Sequence, residues 1–382
     1  MIDIFAKQPP AIIERTEAPR NHRRAFLGQT AATMLTVLGA ASPLASASGP
    51  KSTATLRTSR GSGAKKESTA LKNENQADRL PPGSYPALLT AFRKDLSIDW
   101  HGVDQLIDFC IQGGSAGIFA GGLSAEIDFM SDREKAQLVE HIVRYTNGRV
   151  PVVACVITRG SIETQAELIR QASTPRPDAV AISVGQLAAP AEDERTWIRH
   201  CDELLRKTPE QIPLAFYECP WPYHRLLADG TIAWVAGTGR FCFLKDTCCN
   251  IERIRSRLEL LRGSRLKLYN ANTKTLLDSL AAGAAGFCGI GANYAPELYA
   301  WLCREYAHEP SVASELHHYL QSCVSLTEGP AYPVLAKEYL RRHGLKIGRF
   351  SRRRSTELSR GIVRRLEQMR VAEDLWKARL QR

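Results

Sequence analysis

Three groups of residues carry the chemistry open to this sequence. Lys245 closes the apolar run Phe241, Cys242, Phe243, Leu244 and precedes Asp246. Tyr217 closes a second run, residues 213–216, and precedes Glu218, Cys219 and Pro220. A small-residue turn, Gly121, Gly122, Leu123, Ser124, Ala125, ends in the carboxylate of Glu126. Burial disfavours an ammonium, and only a neutral amine adds to a keto group, so a lysine in apolar surroundings suits Schiff-base formation. A phenol beside it can carry protons between the amine, the carbinolamine oxygen and the substrate. Gly122 and Ser124 can offer peptide N–H groups and a hydroxyl to a carboxylate. Taken singly, each group has an ordinary structural reading: an edge lysine in water, a packed tyrosine, a tight turn.

These residues share one kind of position. Behind Pro82 the sequence alternates short β-type apolar runs with longer amphipathic ones as far as about residue 308. Strands are expected near 87–92, 116–120, 152–156, 179–184, 214–217, 241–245, 266–269 and 286–289. Ser131 with Glu134 reads as a capping box, and Leu138, Ile142 and Tyr145 follow at helical spacing before Asn147 and Gly148. Val103, Leu106, Ile107 and Cys110 repeat the pattern behind Asp99. Eight strands each followed by a helix predict an α/β fold, a (β/α)8 TIM barrel over 81–308, with C-terminal helices and a basic tail over 309–382. A doubly wound sheet is the alternative, but no Gly-x-Gly-x-x-Gly follows the first strand. In a barrel, strand ends meet the βα loops at one mouth, which is where Lys245, Tyr217 and the Gly122–Ser124 turn would project.

The chain of 382 residues, 44% hydrophobic and 24% charged, is long enough for such a core. Its net charge of +11 is carried by the end: residues 341–382 hold 14 Lys or Arg against 4 Asp or Glu, a surplus of +10. The barrel therefore has no basic face, and no nucleic-acid partner is expected. The tail, with Arg352, Arg353, Arg354, Arg364 and Arg365, reads as a solvated helix face; the competing reading is a site for an anionic surface or polymer. Ten cysteines, scattered from Cys110 to Cys323, read as buried thiols. Cys242, Cys248 and Cys249 lack a second pair or a nearby His, so no metal site is expected.

Residues 1–47 read as a targeting segment: His22, Arg23, Arg24, Ala25, Phe26 and Leu27 make a twin-arginine pattern, a mildly apolar stretch runs to Ala41, and Ala45, Ser46 and Ala47 supply a cleavage site. That stretch is too short to span a membrane, so export to the periplasm without stable insertion is expected; a cytoplasmic protein is the alternative. Residues 48–80, rich in Ser, Thr, Lys and Gly, read as a disordered linker.

Together and in this order, the strand-end residues resemble the dihydrodipicolinate synthase and N-acetylneuraminate lyase family of class I aldolases, over about residues 83–350. The markers are Pro86, Ala87, Leu88, Leu89, Thr90, Ala91, Phe92 with Asp99; Tyr217 with Pro220; Lys245 with Asp246; residues 284–292 before Pro296 and Glu297; and, more weakly, 333–340. The resemblance implies an imine between Lys245 and pyruvate or a related 2-keto acid, proton transfer by Tyr217, and a carboxylate held by Gly122 and Ser124. It implies a lyase without cofactor, assembled as a homodimer or homotetramer; a barrel that only binds the keto acid is the alternative.

Three departures shape the expected substrate. Leu123 stands where the family has the first threonine of Gly-Thr-Thr-Gly-Glu, and Gly185, Gln186 and Leu187 follow Val184 where the synthases carry a tyrosine pair. Synthases also place an arginine two residues after the strand-five proline; Trp221 and Pro222 follow Pro220 here, and Arg225 comes later. Trp221 and Pro222 would form an apolar wall for a sugar or aromatic aldehyde, and condensation with aspartate semialdehyde is not expected.

Overall fold

The computed structural model describes residues 80–157, 160–353 and 357–381. The expected leader, and the linker up to residue 79, lie outside the described residues. Eight parallel strands form one sheet in the order β1-β8-β7-β6-β5-β4-β3-β2. They are β1 (Gly83–Ser84), β2 (Ile118–Ala120), β3 (Val152–Val156), β4 (Ala179–Ser183), β5 (Leu214–Tyr217), β6 (Phe241–Asp246), β7 (Lys267–Asn270) and β8 (Gly286–Phe287). The two ends of the order meet: Ala116 N–H donates to the Ser84 carbonyl at 2.8 Å, Phe119 N–H to Pro86 at 3.0 Å and Leu88 N–H to Phe119 at 3.0 Å. That contact closes the (β/α)8 barrel.

Helices return the chain between strands: α1 (Trp100–Gln112), α2 (Asp132–Thr146), α3 (Ile162–Ser173), α4 (Glu194–Lys207), α5 (Asp229–Gly237), α6 (Ile251–Leu260), α7 (Leu276–Ala281) and α8 (Pro296–Glu305). Three more follow: α9 (Pro310–Thr327), α10 (Val334–Arg342) and α11 (Arg360–Leu380). The caps read from the sequence are in place. Ser131 accepts from Glu134 N–H while Glu134 accepts from Ser131 N–H, and Asp99 caps α1, whose face of Val103, Leu106, Ile107 and Cys110 is buried. Among the described residues no helix is long and apolar enough to cross a membrane.

The first strand was expected over 87–92 and lies instead at Gly83–Ser84, with only Ala87 bridging to Phe119. Residues 87–92 are buried, but burial alone does not make a run pair as a strand. The closing position needs close backbone approach: a side chain at Gly286 would bring its Cβ to 1.9 Å from the Gly83 carbonyl oxygen. The seam between β1 and β8 is therefore built on glycines, which read as a turn.

One irregularity aims the sixth strand. Between β5 and β6, Leu214 pairs with Phe241 but Ala215 pairs with Phe243, so one extra residue is inserted at Cys242. Strict alternation would put Phe241 and Phe243 on one face. With the bulge, Phe241 turns outward and stacks on Phe216 at 4.1 Å, while Phe243 turns inward and stacks on Tyr269 at 4.0 Å. Lys245, two residues beyond Phe243, points into the barrel.

Candidate active site

β5 and β6 run in register so that Tyr217 lies opposite Lys245. Lys245 is 5% exposed, and its Nζ lies 4.3 Å from the centre of the Phe119 ring and 4.4 Å from that of Tyr217. Beneath them Phe119, Phe243, Tyr269 and Tyr85 stack edge and face into a floor that excludes water from below. The buried Cys288 thiol lies within the influence of the amine: burial pushes it up to about 11 against the pull of Lys245. Burial, and then the thiols of Cys219, Cys155 and Cys288, hold the Tyr217 phenol well above the ordinary tyrosine range. Tyr217 therefore stays protonated, a donor and relay instead of a standing base.

The residues after this pair face the other way. Glu218 and Asp246 are fully buried outside the strands, where Arg257 of α6 grips both. Its guanidinium donates to both oxygens of Glu218, at 2.9 and 2.7 Å, to Asp246 and to the Leu227 carbonyl at 2.9 Å. The carboxylates are satisfied further by Leu227 N–H, Thr247 N–H and Cys248 N–H. Burial and the nearness of Asp246 push Glu218 up against the pull of Arg257. This clamp fixes the strand ends on either side of the reactive pair. Sequence reading missed it because the three residues share no local spacing.

Above the floor lies a small cavity that opens to solvent. Ala87, Leu123, Pro220, Ala271, Gly289 and Ile290 make its apolar wall; Ser124, Tyr217, His224, Lys245, Thr247 and Cys249 are its polar groups. Lys245 and Tyr217 are thus brought together as expected, with Ser124 beside them. Gly122 stands one residue outside the lining. The Ser124 hydroxyl donates to the Ala87 carbonyl at 2.5 Å, so the hydroxyl proton is engaged. No backbone hydrogen bond among the described residues uses the N–H of Leu123 or Ser124, so these amides remain open to a carboxylate. Trp221 and Pro222 do not form the wall: Trp221 packs against the core and Pro222 is exposed. Arg225 is turned away, donating to Glu194 at 2.6 Å and to the Glu192 carbonyl at 3.0 Å. Among the described residues, no arginine and no carboxylate lines the cavity.

The carboxylate loop is anchored from the far end of the chain. Glu126, at φ 63° and buried, accepts from Lys337 Nζ at 2.6 Å, Ser351 Oγ at 2.8 Å, Arg352 N–H at 2.8 Å and Arg353 N–H at 3.0 Å. Arg353 forks onto Asp128 at 2.6 and 2.7 Å, and Arg352 onto Glu134 at 3.2 and 2.7 Å. Arg352 and Arg353 were expected on a solvated helix face; they belong to a strap between α10 and α11 that binds acidic residues of the barrel. All ten cysteines are free thiols, seven of them buried. Cys249, in the cavity wall, holds a left-handed backbone at φ 55°, a cost that a glycine there would avoid.

A closed eight-stranded barrel with a lysine and a tyrosine at one mouth defines the architecture of a class I aldolase. The model of the dihydrodipicolinate synthetase family matches residues 81–371, and this chain belongs to that family. The 4-hydroxy-tetrahydrodipicolinate synthase of Marinobacter nauticus is 30% identical over 222 residues, 58% of this chain and 74% of that one. The synthase of Laribacter hongkongensis is 26% identical over 69% of this chain and 88% of its own. Among solved structures, the dihydrodipicolinate synthase of Thermotoga maritima superposes with a TM-score of 0.69 at 20% identity, covering 78% of this chain and 99% of that one. A prophage protein of the dihydrodipicolinic acid synthase family from E. coli K12, solved with pyruvate, gives 0.68 at 19% identity, over 77% and 99%. At these identities the structural likeness shows the fold.

Proposed function

We infer that this protein is a carbon–carbon lyase or aldolase that binds pyruvate or a related 2-keto acid as an imine on Lys245. The observation that carries the reading is the in-register pair of Tyr217 and Lys245 over a dry aromatic floor, at the mouth of a barrel of this family. The neutral amine adds to the keto carbon; Tyr217 gives its proton to the alkoxide and takes one back from the ammonium, leaving the carbinolamine, and a proton from solvent at the open mouth lets the hydroxyl leave as water to give the iminium. The open amides of Leu123 and Ser124 receive the keto acid's carboxylate. The iminium is an electron sink: a bond to the carbon beyond C3 breaks into it, or an enamine forms and adds to an aldehyde. The family is one of lyases, and a solved relative holds pyruvate, both of which support this reading.

The test is borohydride reduction with pyruvate present. The adduct is expected on the peptide that contains Lys245, and Lys245→Ala is expected to keep its circular dichroism and lose trapping. Trapping that persists in the variant at Lys267 or Lys274 overturns the assignment. The twin-arginine pattern at Arg23 and Arg24 supports export to the periplasm as a second part of the proposal. Assembly as a homodimer or homotetramer is a third.

A further inference from the structure

The imine leaves one proton without a carrier. To become a carbon nucleophile, a pyruvate iminium must lose a proton from its C3 methyl, and this needs a base at the cavity. Tyr217 stays protonated, and burial likewise raises the Cys249 thiol above its usual range. The Ser124 hydroxyl is engaged with Ala87, no carboxylate among the described residues lines the cavity, and the turn after β4 carries Val184, Gly185 and Gln186 with no phenol.

His224, on the loop after β5, lines the same cavity. Its Nε2 lies 2.8 Å from Thr247 Oγ, and Thr247 Oγ lies 2.6 Å from the Glu218 carbonyl. A threonine hydroxyl has one proton, and a carbonyl can only accept, so Thr247 donates to Glu218 and Nε2 donates to Thr247. In the neutral ring the lone pair is then on Nδ1, which no group among the described residues hydrogen-bonds. Thr247 N–H donates to the Glu218 carboxylate, so the ring is braced against the Arg257 clamp. We propose that His224 is the base that removes the C3 proton of the keto-acid imine and returns it, held in its tautomer by Thr247.

The inference rests on the imine reading above. In the step, the Nδ1 lone pair bonds the C3 proton, the C3–H pair becomes the C2=C3 bond, and the C=N pair moves onto the nitrogen of Lys245. The products are a neutral enamine and an imidazolium, and reprotonation reverses every movement. Burial lowers the His224 pKa, with Asp246 opposing and Arg257 assisting, so the ring is neutral at pH 7. Those two are the charged groups that act on it, with Lys245 on the same cavity.

Exchange of the pyruvate methyl protons in D2O, followed by NMR on the full chain, reads this step without a second substrate. Wild-type exchange is expected to rise with pH along one limb, with an apparent pKa below about 6.5. His224→Asn is expected to retain borohydride trapping at Lys245 and to lose exchange by about 100-fold or more. Added imidazole should restore exchange in His224→Ala. Thr247→Val should slow exchange and move the limb, a second route if the histidine variants fold poorly. Trapping with undiminished exchange in His224→Asn, or a wild-type profile without the limb, overturns the role of His224 alone. No trapping of pyruvate by the wild type overturns the imine reading and this inference together.

Discussion

Tyr217 and Lys245 are register partners on adjacent parallel strands, and the next residue of each strand, Glu218 and Asp246, is held by the same arginine on the opposite face. The pleat makes this arrangement: successive side chains on a strand point to opposite sides. The reactive pair faces the barrel and the clamp faces the helices, so Arg257 sets the spacing of two groups it does not touch.

Arg257→Met is expected to destabilise the protein by about 3 to 5 kcal/mol, since two buried carboxylates are left without their cation. Denaturant unfolding measures the loss. A change below about 1 kcal/mol would mean that Glu218 and Asp246 are not both ionised in the native protein.

Condensation of pyruvate with aspartate semialdehyde is expected to be slow or undetectable. Arg225 is committed to Glu194, and among the described residues no arginine lines the cavity to give the second carboxylate a charge-assisted bond, about 1.5 to 3 kcal/mol. A coupled assay with the following reductase checks it, and a rate like that of the synthases would show that Arg225 swings inward. The apolar wall predicts better turnover with uncharged aldehydes.

Arg353→Ala is expected to cost about 1.5 to 3 kcal/mol and to raise KM for the keto acid more than it lowers kcat, because it frees Asp128, which belongs to the loop that carries Leu123 and Ser124, while the backbone N–H of residue 353 still holds Glu126. An unchanged KM would separate the strap from the site. The strap is also acid-sensitive: hydrogen bonds from Arg352 hold the Glu134 carboxyl down to about 2. Its folded value lies below its unfolded one, so the contribution is full above about pH 4.5 and fades as pH falls towards 2. Hydrogen exchange at residues 349–353 should report that window.

Arg23→Lys with Arg24→Lys is expected to leave the protein inside the cell with its leader uncleaved. Fractionation and the mass of the mature N-terminus measure this, and normal processing of the double variant would refute the leader.

The barrel was legible because β3 and β5 are apolar runs with plain ends, and because Lys245 and Tyr217 interrupt such runs where a strand must stop. β1 was not legible: its pairing residues are a glycine and a serine, while the apolar run beside it is buried without pairing. His224 and Thr247 lie seven and two residues past the strand-end pair, on the loops where a barrel keeps its chemistry; that position was the available signal. The Arg257 clamp and the strap join residues 39 and more than 200 apart, distances at which spacing carries no information.

Glu126 is made 211 residues before Lys337 and 225 before Ser351. On the ribosome, then, a carboxylate destined for a dry site waits in water for a further 211 residues, because every group that will replace that water is still untranslated. The loop proposed to receive the keto acid's carboxylate cannot reach its final arrangement until the strap is made. A chain released before residue 351 would carry all eight strands, with Lys245 and Tyr217 in place, and still lack an ordered carboxylate loop.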